Sequence, residues 1–292
     1  MPFPPDPAVL RRRLRRELRV LREAARFTQR GVADEMDWSL SKVIRMETGQ
    51  VGVSITDLKA LLAYYGVTDS VEVDRLVAIA RAAKEPPWWA PYRGQADKAF
   101  LDSLGYEAAA SIVRTFEPVL VPGLLQTEEY ALEVLGVTSP QQPDTLARLR
   151  LERQERLLNP DGPQLHFILD ESVVARVVGS PAVMRRQVRR LLELAEHPQI
   201  TLRILPFTAG LYSYFRTPYV LFEFDAQDGR DDDVVLYIER QDQEHIVHES
   251  ASGDNDNAPA RYLEAFFSIE QLAPRDRVQP LLEAALDRLT AD

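Results

Sequence analysis

The sequence predicts an all-α domain of five helices over residues 1–85, followed by a mixed α/β domain over residues 86–292. Three observations predict it. Up to residue 84 the apolar residues recur only at helical spacing. Short runs rich in β-branched and aromatic residues begin near residue 164 and alternate with helical stretches. Between these regions "KEPPWW" interrupts the helical pattern with paired prolines, which places the boundary near Glu85. At 292 residues and 45% apolar content the chain supports two cores better than one.

The first helix shows Leu14, Leu18, Leu21 and Ala25 at steps of four and three. Arg11, Arg15, Arg19, Arg22 and Arg26 follow the same spacing one position later, so a buried stripe runs beside an arginine stripe. In "TQRGVADEMDWSLSKVIRMETG", residues 28–49, Thr28 and Ser39 are N-caps of two short helices. Val32 and Met36 face inward on one, Val43 and Met46 on the other. The connection is so short that the helices must cross steeply, which exposes Leu40, Ser41, Ile44 and Arg45 on the second. Such a face suits a major groove, where arginine bonds a guanine edge, hydroxyls bond several edges and apolar side chains meet a thymine methyl. "SITDLKALLAYYGV" and "SVEVDRLVAIARAAK" supply helices four and five, the former with a serine cap and a Gly66 stop.

In the second domain the expected strands are 164–170, 201–207, 217–224 and 234–240. "SPAVMRRQVRRLLELAEHP" is a helix capped by Ser180 with Pro181 in its first turn, and two helices start near Ala258 and Pro274. "DAQDGRDDD" reads as a solvated acidic turn.

Charge divides along the same line. Residues 1–84 carry 15 Lys and Arg against 11 Asp and Glu, a net +4, whereas residues 85–292 carry 20 against 34, a net −14. A phosphate backbone selects for the former. Zero cysteines exclude disulfides and thiolate chemistry. No run of eighteen apolar residues occurs and the start lacks a signal-peptide pattern, so a cytoplasmic protein without a membrane partner is expected.

"LRRELRVLREAARFTQRGVADEMDWSLSKVIRMETG" resembles the helix-turn-helix of the Cro and phage-repressor (XRE) type, in the version typical of actinobacteria. "WWAPY", "FEPVLVPGLLQTEEYA", "LDESVVARVVGSPAVMRRQVRRLLELAEHPQITLRILPFTAG" and "PYVLFEF" resemble, in order, the large C-terminal domain of unknown function that accompanies it in developmental and antitoxin-like regulators. The resemblance implies a transcriptional regulator, a homodimer on double-stranded DNA, or an antitoxin-like protein that binds a small partner protein encoded beside it. It implies base-facing roles for Leu40, Ser41 and Arg45, with Lys42 nearer the backbone. Gln29 meets a phosphate or braces the recognition helix, and Arg22 with Glu47 ties the first helix to the end of the third. Ser39 and Ile44 complete the DNA-binding set, and Arg15 and Arg19 are expected to meet phosphates. Relatives commonly carry glycine where Arg26 and Asp37 stand, positions that tend to need a left-handed backbone, while Gly31 costs about 1 kcal/mol inside its helix.

Enzymatic signals are weak, and neither catalytic residues, a cofactor nor a metal is expected. His245 and His248, flanked by Glu244 and Glu249, lie three apart on a strand and so point to opposite faces. His166 and His197 read as structural, and Asp170 and Glu171 as caps of a following helix. "VGSP" is not a nucleophile elbow and no phosphate-cradling glycine loop occurs. Trp88, Trp89, Tyr92, Tyr212, Tyr214, Phe215 and Tyr219 form either core filling or a ligand or partner pocket.

Overall fold

The computed structural model describes residues 6–48, 51–160, 162–224, 234–239, 245–248 and 258–290. Gly49, the acidic stretch 225–233, Glu244, Glu249 and the side chain of His248 lie outside the described residues. The chain divides into two compact units, Met1–Ala90 and Pro91–Asp292.

The first unit is five helices: α1 (Pro7–Ala24), α2 (Gln29–Glu35), α3 (Leu40–Glu47), α4 (Ile55–Tyr64) and α5 (Ser70–Ala82). Side chains cap each N-terminus. Asp6, Thr28, Ser39 and Ser54 accept from backbone N–H groups of α1 to α4. The cap of α5 is Asp69, with Ser70 already helical, because the aspartate one residue earlier reaches the Val71 N–H. Leu14, Leu18, Val32, Val43, Leu58, Leu62 and Leu76 meet in one core. Each such side chain contributes roughly 1.5–3 kcal/mol by leaving water.

Three helices stop by the same device. After α4, Gly66 N–H donates to Ala63 and Val67 N–H to Leu62, with Gly66 at φ 79°. After α1, Arg26 and Phe27 repeat these bonds to Glu23 and Arg22, and after α2, Asp37 and Trp38 repeat them to Asp34 and Ala33. The left-handed positions are therefore Arg26 at φ 61° and Asp37 at φ 54°. Glycine is the residue for which this conformation is free of strain. Gly31 has its own reason for being small: a Cβ there would lie 3.3 Å from the Thr28 hydroxyl that caps α2.

The second unit opens with α6 (Lys98–Ala109) and β1 (Ile112–Glu117). It continues with α7 (Glu128–Thr138), α8 (Pro143–Leu157), β2 (Gln164–Asp170), α9 (Ser172–Ala175), α10 (Pro181–Ala195) and β3 (Ile200–Leu205). Then follow β4 (Tyr219–Glu223), β5 (Val235–Ile238), β6 (His245–His248), α11 (Pro259–Leu272) and α12 (Val278–Thr290). The six strands run in the order β3-β2-β1-β4-β5-β6. The β1–β2 and β2–β3 pairs are parallel, the remaining pairs antiparallel. Alternate residues sort cleanly between faces. Val113, Phe167, Ile204, Phe222 and Tyr237 join α7, α10 and α12 in the larger core, while Phe116, Ile168, Leu205, Leu221 and Leu236 meet α11.

Strand β1 is not among the strands expected from sequence, yet it is central. Its residue Arg114 sits in a buried position, where it donates to Glu223 on neighbouring β4 at 2.5 Å and lies 4.8 Å from the Phe267 ring of α11. That pairing is what lets a cation occupy an interior strand. Ser180 caps α10 as expected, accepting from Val183 N–H. Asp170 accepts from Ser172 N–H at the start of α9, and Glu171 accepts from Phe207 N–H beyond β3.

Arg26→Gly is expected to stabilise the first unit by about 1 kcal/mol, because relief of a left-handed arginine exceeds the added entropy of an unfolded glycine. Arg26→Ala, which keeps the Cβ, is expected to leave stability within about 0.5 kcal/mol. Urea unfolding of the three proteins checks both.

Candidate nucleic-acid interface

The α2–α3 pair owes its crossing to the left-handed Asp37, which turns the chain within three residues, and to Trp38, half-buried against the core. Ser39 then starts α3 by accepting from Lys42 N–H at 3.1 Å. With Val43 turned into the core, Ser41, Ile44 and Arg45 are exposed and Leu40 is half-buried beside them. The guanidinium of Arg45 and the hydroxyl of Ser41 have no partner among the described residues. Two uncommitted hydrogen-bonding groups and an exposed isoleucine thus lie on one side of a capped helix.

The orientation of that helix is set from behind. Arg22 of α1 donates through Nε to Glu47 Oε1 at 2.5 Å and through a terminal nitrogen to Oε2 at 3.0 Å. Its other terminal nitrogen donates to the Phe27 carbonyl at 2.7 Å, across the turn that ends α1. Gln29, first residue of α2, donates to Glu47 Oε2 at 2.7 Å. The Arg22 and Glu47 side chains are only 9% and 10% exposed. One carboxylate at the end of α3 therefore gathers α1, α2 and α3. Of the two roles open to Gln29, the geometry gives it the bracing one.

The remaining cations divide into committed and free. Arg15 donates to the Thr48 carbonyl at 2.6 Å and Arg11 to the Ala83 carbonyl at 3.0 Å. These bonds close the C-terminal ends of α3 and α5, where helix carbonyls lack partners. Lys42 lies 3.6 Å from the Trp38 ring centroid and 3.2 Å from Asp57, so its ammonium turns toward α4. Among the described residues Arg19 makes only a 3.3 Å contact to Glu23 on its own exposed helix face. Arg30, in the first turn of α2, is exposed without a partner among the described residues. Sequence reasoning passed over it. The signal was its place one residue after Gln29 and on the outer side of the apolar Val32–Met36 pair.

The aromatic residues are dispersed. Trp88 and Trp89 meet edge to face at 5.7 Å, with Trp89 buried. In the second unit, Tyr92 donates to Glu152 at 3.2 Å. Tyr219 is buried in the core beside α11, where it meets the rings of Phe116 and Tyr262. Tyr214 stacks on Tyr262 at 4.2 Å, a contact that offsets the strain of φ 58° at a bulky residue. Tyr212 donates to Asp170 at 2.7 Å and Phe215 meets it edge to face. Tyr212, Tyr214 and Tyr219 thus serve packing. His245 and His248 are the ends of β6, and no group of three metal-ligating side chains occurs among the described residues. His166 is half-buried in β2, where burial and Arg114 push its pKa down to about 4 and keep the ring neutral.

This arrangement defines a helix-turn-helix protein. Residues 13–76 match the family model described as a helix-turn-helix domain, and DNA is the partner that such a domain implies. Residues 100–265 match the domain of unknown function DUF5753, and since that match spans more than half of the chain, the protein belongs to the DUF5753 family. No curated protein and no solved structure matches the chain. No helix among the described residues is long and apolar enough to cross a membrane.

Removing the carboxylate that gathers the three helices leaves Arg22 buried without a counter-charge. Glu47→Ala is expected to cost roughly 3–5 kcal/mol in the first unit. Chemical denaturation read by tryptophan and far-ultraviolet signals measures it; a loss below 1 kcal/mol contradicts the bracing role.

Proposed function

We propose that the protein is a sequence-specific transcriptional regulator of the Cro and phage-repressor type that binds double-stranded DNA as a homodimer, with no enzymatic activity of its own. The observation that carries this reading is the contrast on α3. Ser41, Ile44 and Arg45 are exposed and uncommitted, whereas the charged and polar groups behind them (Arg15, Arg22, Gln29, Lys42 and Glu47) are held by the protein. A helix braced on one side and chemically open on the other is suited to present side chains to base edges. Arg30, with Arg19 beside its weak intrahelical pair, supplies the phosphate contacts.

Stoichiometry follows from magnitude. One α3 offers two or three base-reading side chains, each worth about 1–3 kcal/mol of discrimination. Specific sites are typically preferred by roughly 4–10 kcal/mol over random DNA. Two copies on half-sites about one helical turn apart reach that range. The larger α/β unit is the candidate for the contact that holds the copies together.

Selection of bound genomic DNA with the full-length protein, followed by titration on the recovered site and on random DNA, tests the reading. Arg45→Ala is expected to cost roughly 1–3 kcal/mol on the selected site and far less on random DNA. Arg30→Gln is expected to weaken both alike and to lower the salt dependence by about one unit of slope. Equal losses for Arg45→Ala on both DNAs make it a phosphate contact. Failure to enrich any sequence rejects the regulator reading.

A further inference from the structure

The α/β unit contains a cavity of about 1200 Å³. Protein interiors rarely leave voids larger than a water molecule, and ligand sites run to about 300–1,000 Å³. Its floor is the sheet face that carries Thr115, Glu117, Val220, Phe222, Tyr237 and Glu239. Its walls come from α6, α7 and α8, with Phe100, Val134, Leu149, Arg150 and Arg153.

The cavity lies where the sheet changes sense. Glu117 ends β1, which has parallel β2 on one side and antiparallel β4 on the other. Side chains hold the segment that leaves β1 in an irregular path. Gln126 donates to the Val121 carbonyl, Val121 N–H donates to the Tyr130 hydroxyl, and Gln154 donates to the Gly123 and Gln126 carbonyls. Fully buried Gln187 bonds both Leu125 and Thr127. A wall pinned by so many buried hydrogen bonds stays open rather than collapsing onto the sheet.

The charges of the lining select among ligands. On the helix wall, Arg153 is paired with the buried carboxylate of Glu107 and Arg150 donates to Gln126 Oε1 at 2.5 Å. On the floor, the half-buried Glu117 side chain lines the cavity, and its carboxyl has no hydrogen-bond partner among the described residues. Of the lining cations, Arg153 is ion-paired, Arg150 is bonded to an amide oxygen and Arg216 lies 5.2 Å from the Phe215 ring, whereas the Glu117 carboxyl is left open to a ligand. Phe100, Val134, Leu149, Val220 and Phe222 in its lining suit a carbon body of ring size.

We propose that this cavity binds a small amphipathic molecule bearing a protonated amine, with the ammonium on Glu117 and the apolar body against Phe100, Val220 and Phe222. Burial, and then the neighbouring Glu239, raise the Glu117 pKa well above the usual carboxylate range, against the smaller opposing effect of Arg150. The other charged or titratable groups about it are Arg153 of α8, Tyr130 of α7, and Asp97 and Arg216 in the lining. Pairing with an ammonium requires Glu117 to release its proton to solvent. Affinity therefore rises with pH, by up to about tenfold per unit, until Glu117 is ionised in the empty cavity, and levels off above that point. The site belongs to the α/β unit and its occupancy is read directly, so this proposal and the DNA-binding reading fail independently.

Titration calorimetry of the full-length protein with 2-phenylethylamine and with 3-phenylpropanoate, which share a ring and tether but carry opposite charges, tests it. Repetition in two buffers of different ionisation enthalpy counts the proton. The expected result is saturable binding of the amine with proton release, at least about tenfold tighter than the acid, and at least a tenfold loss in Glu117→Gln together with loss of the pH dependence. Glu117→Asp, which keeps the charge but shortens its reach, is expected to weaken the amine severalfold and to retain the pH dependence should Glu117→Gln fail to fold. Binding of the acid as tight as the amine, no binding of the amine, or amine affinity unchanged in whichever variant folds overturns the proposal.

Discussion

The Glu47 carboxylate is the point on which the first unit turns. It stands at the last residue of α3 and accepts from Arg22 of α1 and Gln29 of α2. Apolar packing in the shared core would hold these helices together without it, because burial is non-directional. What burial does not set is the rotation of α3 about its own axis, and rotation decides which of its residues face out. Hydrogen bonds with fixed geometry do set it. The cost is desolvation of two charges, so the pair adds little net stability over a well-packed apolar pair. Its benefit is orientation: Val43 goes in, and Ser41, Ile44 and Arg45 go out.

The α/β unit uses the same physics for another end. Its parallel strands and amphipathic helices would form a closed layered core from apolar alternation alone. The segment between β1 and α7 departs from that, since its carbonyls and N–H groups are satisfied by side chains from α7, α8 and α10. Neutral amides do here what a charged carboxylate does in the first unit. Both units thus place directional polar contacts where a surface has to be kept in one shape, and leave cohesion to apolar area.

Local signals carried much of this into the sequence. The caps Thr28, Ser39, Ser54 and Ser180 act between residues three apart, and so did the apolar stripe of α1, which is why they could be read. The left-handed positions at Arg26 and Asp37 were legible only through resemblance, because arginine and aspartate do not announce positive φ as glycine does. Strand β1 escaped because its run "IVRTFE" carries an arginine and a terminal glutamate; Arg114 becomes tolerable only through Glu223, more than a hundred residues later. The exposed set on α3 was readable from helical spacing. The commitment of Arg15 and Lys42 was not, since their partners at Thr48 and Asp57 lie on other elements. The cavity floor, drawn from β1, β4 and β5, is the extreme case of a non-local arrangement.

The commitment of the arginines changes how the charge balance is to be understood. A net +4 over residues 1–84 reads as a phosphate-binding surface. Yet Arg11 and Arg15 close helix ends, Arg22 is buried, Arg13 pairs with Glu17, and Arg75 pairs with Glu17 and Glu72. The cations left for phosphates are thus fewer than the net charge suggests, and residues 85–292 carry a net −14. On the proposed reading, affinity for arbitrary DNA is then low, because that affinity is almost wholly electrostatic. On that same reading, what holds the protein to DNA is the exposed face of α3, used twice. Weak non-specific binding raises the ratio of specific to random affinity, which decides occupancy among the many competing sites of a genome.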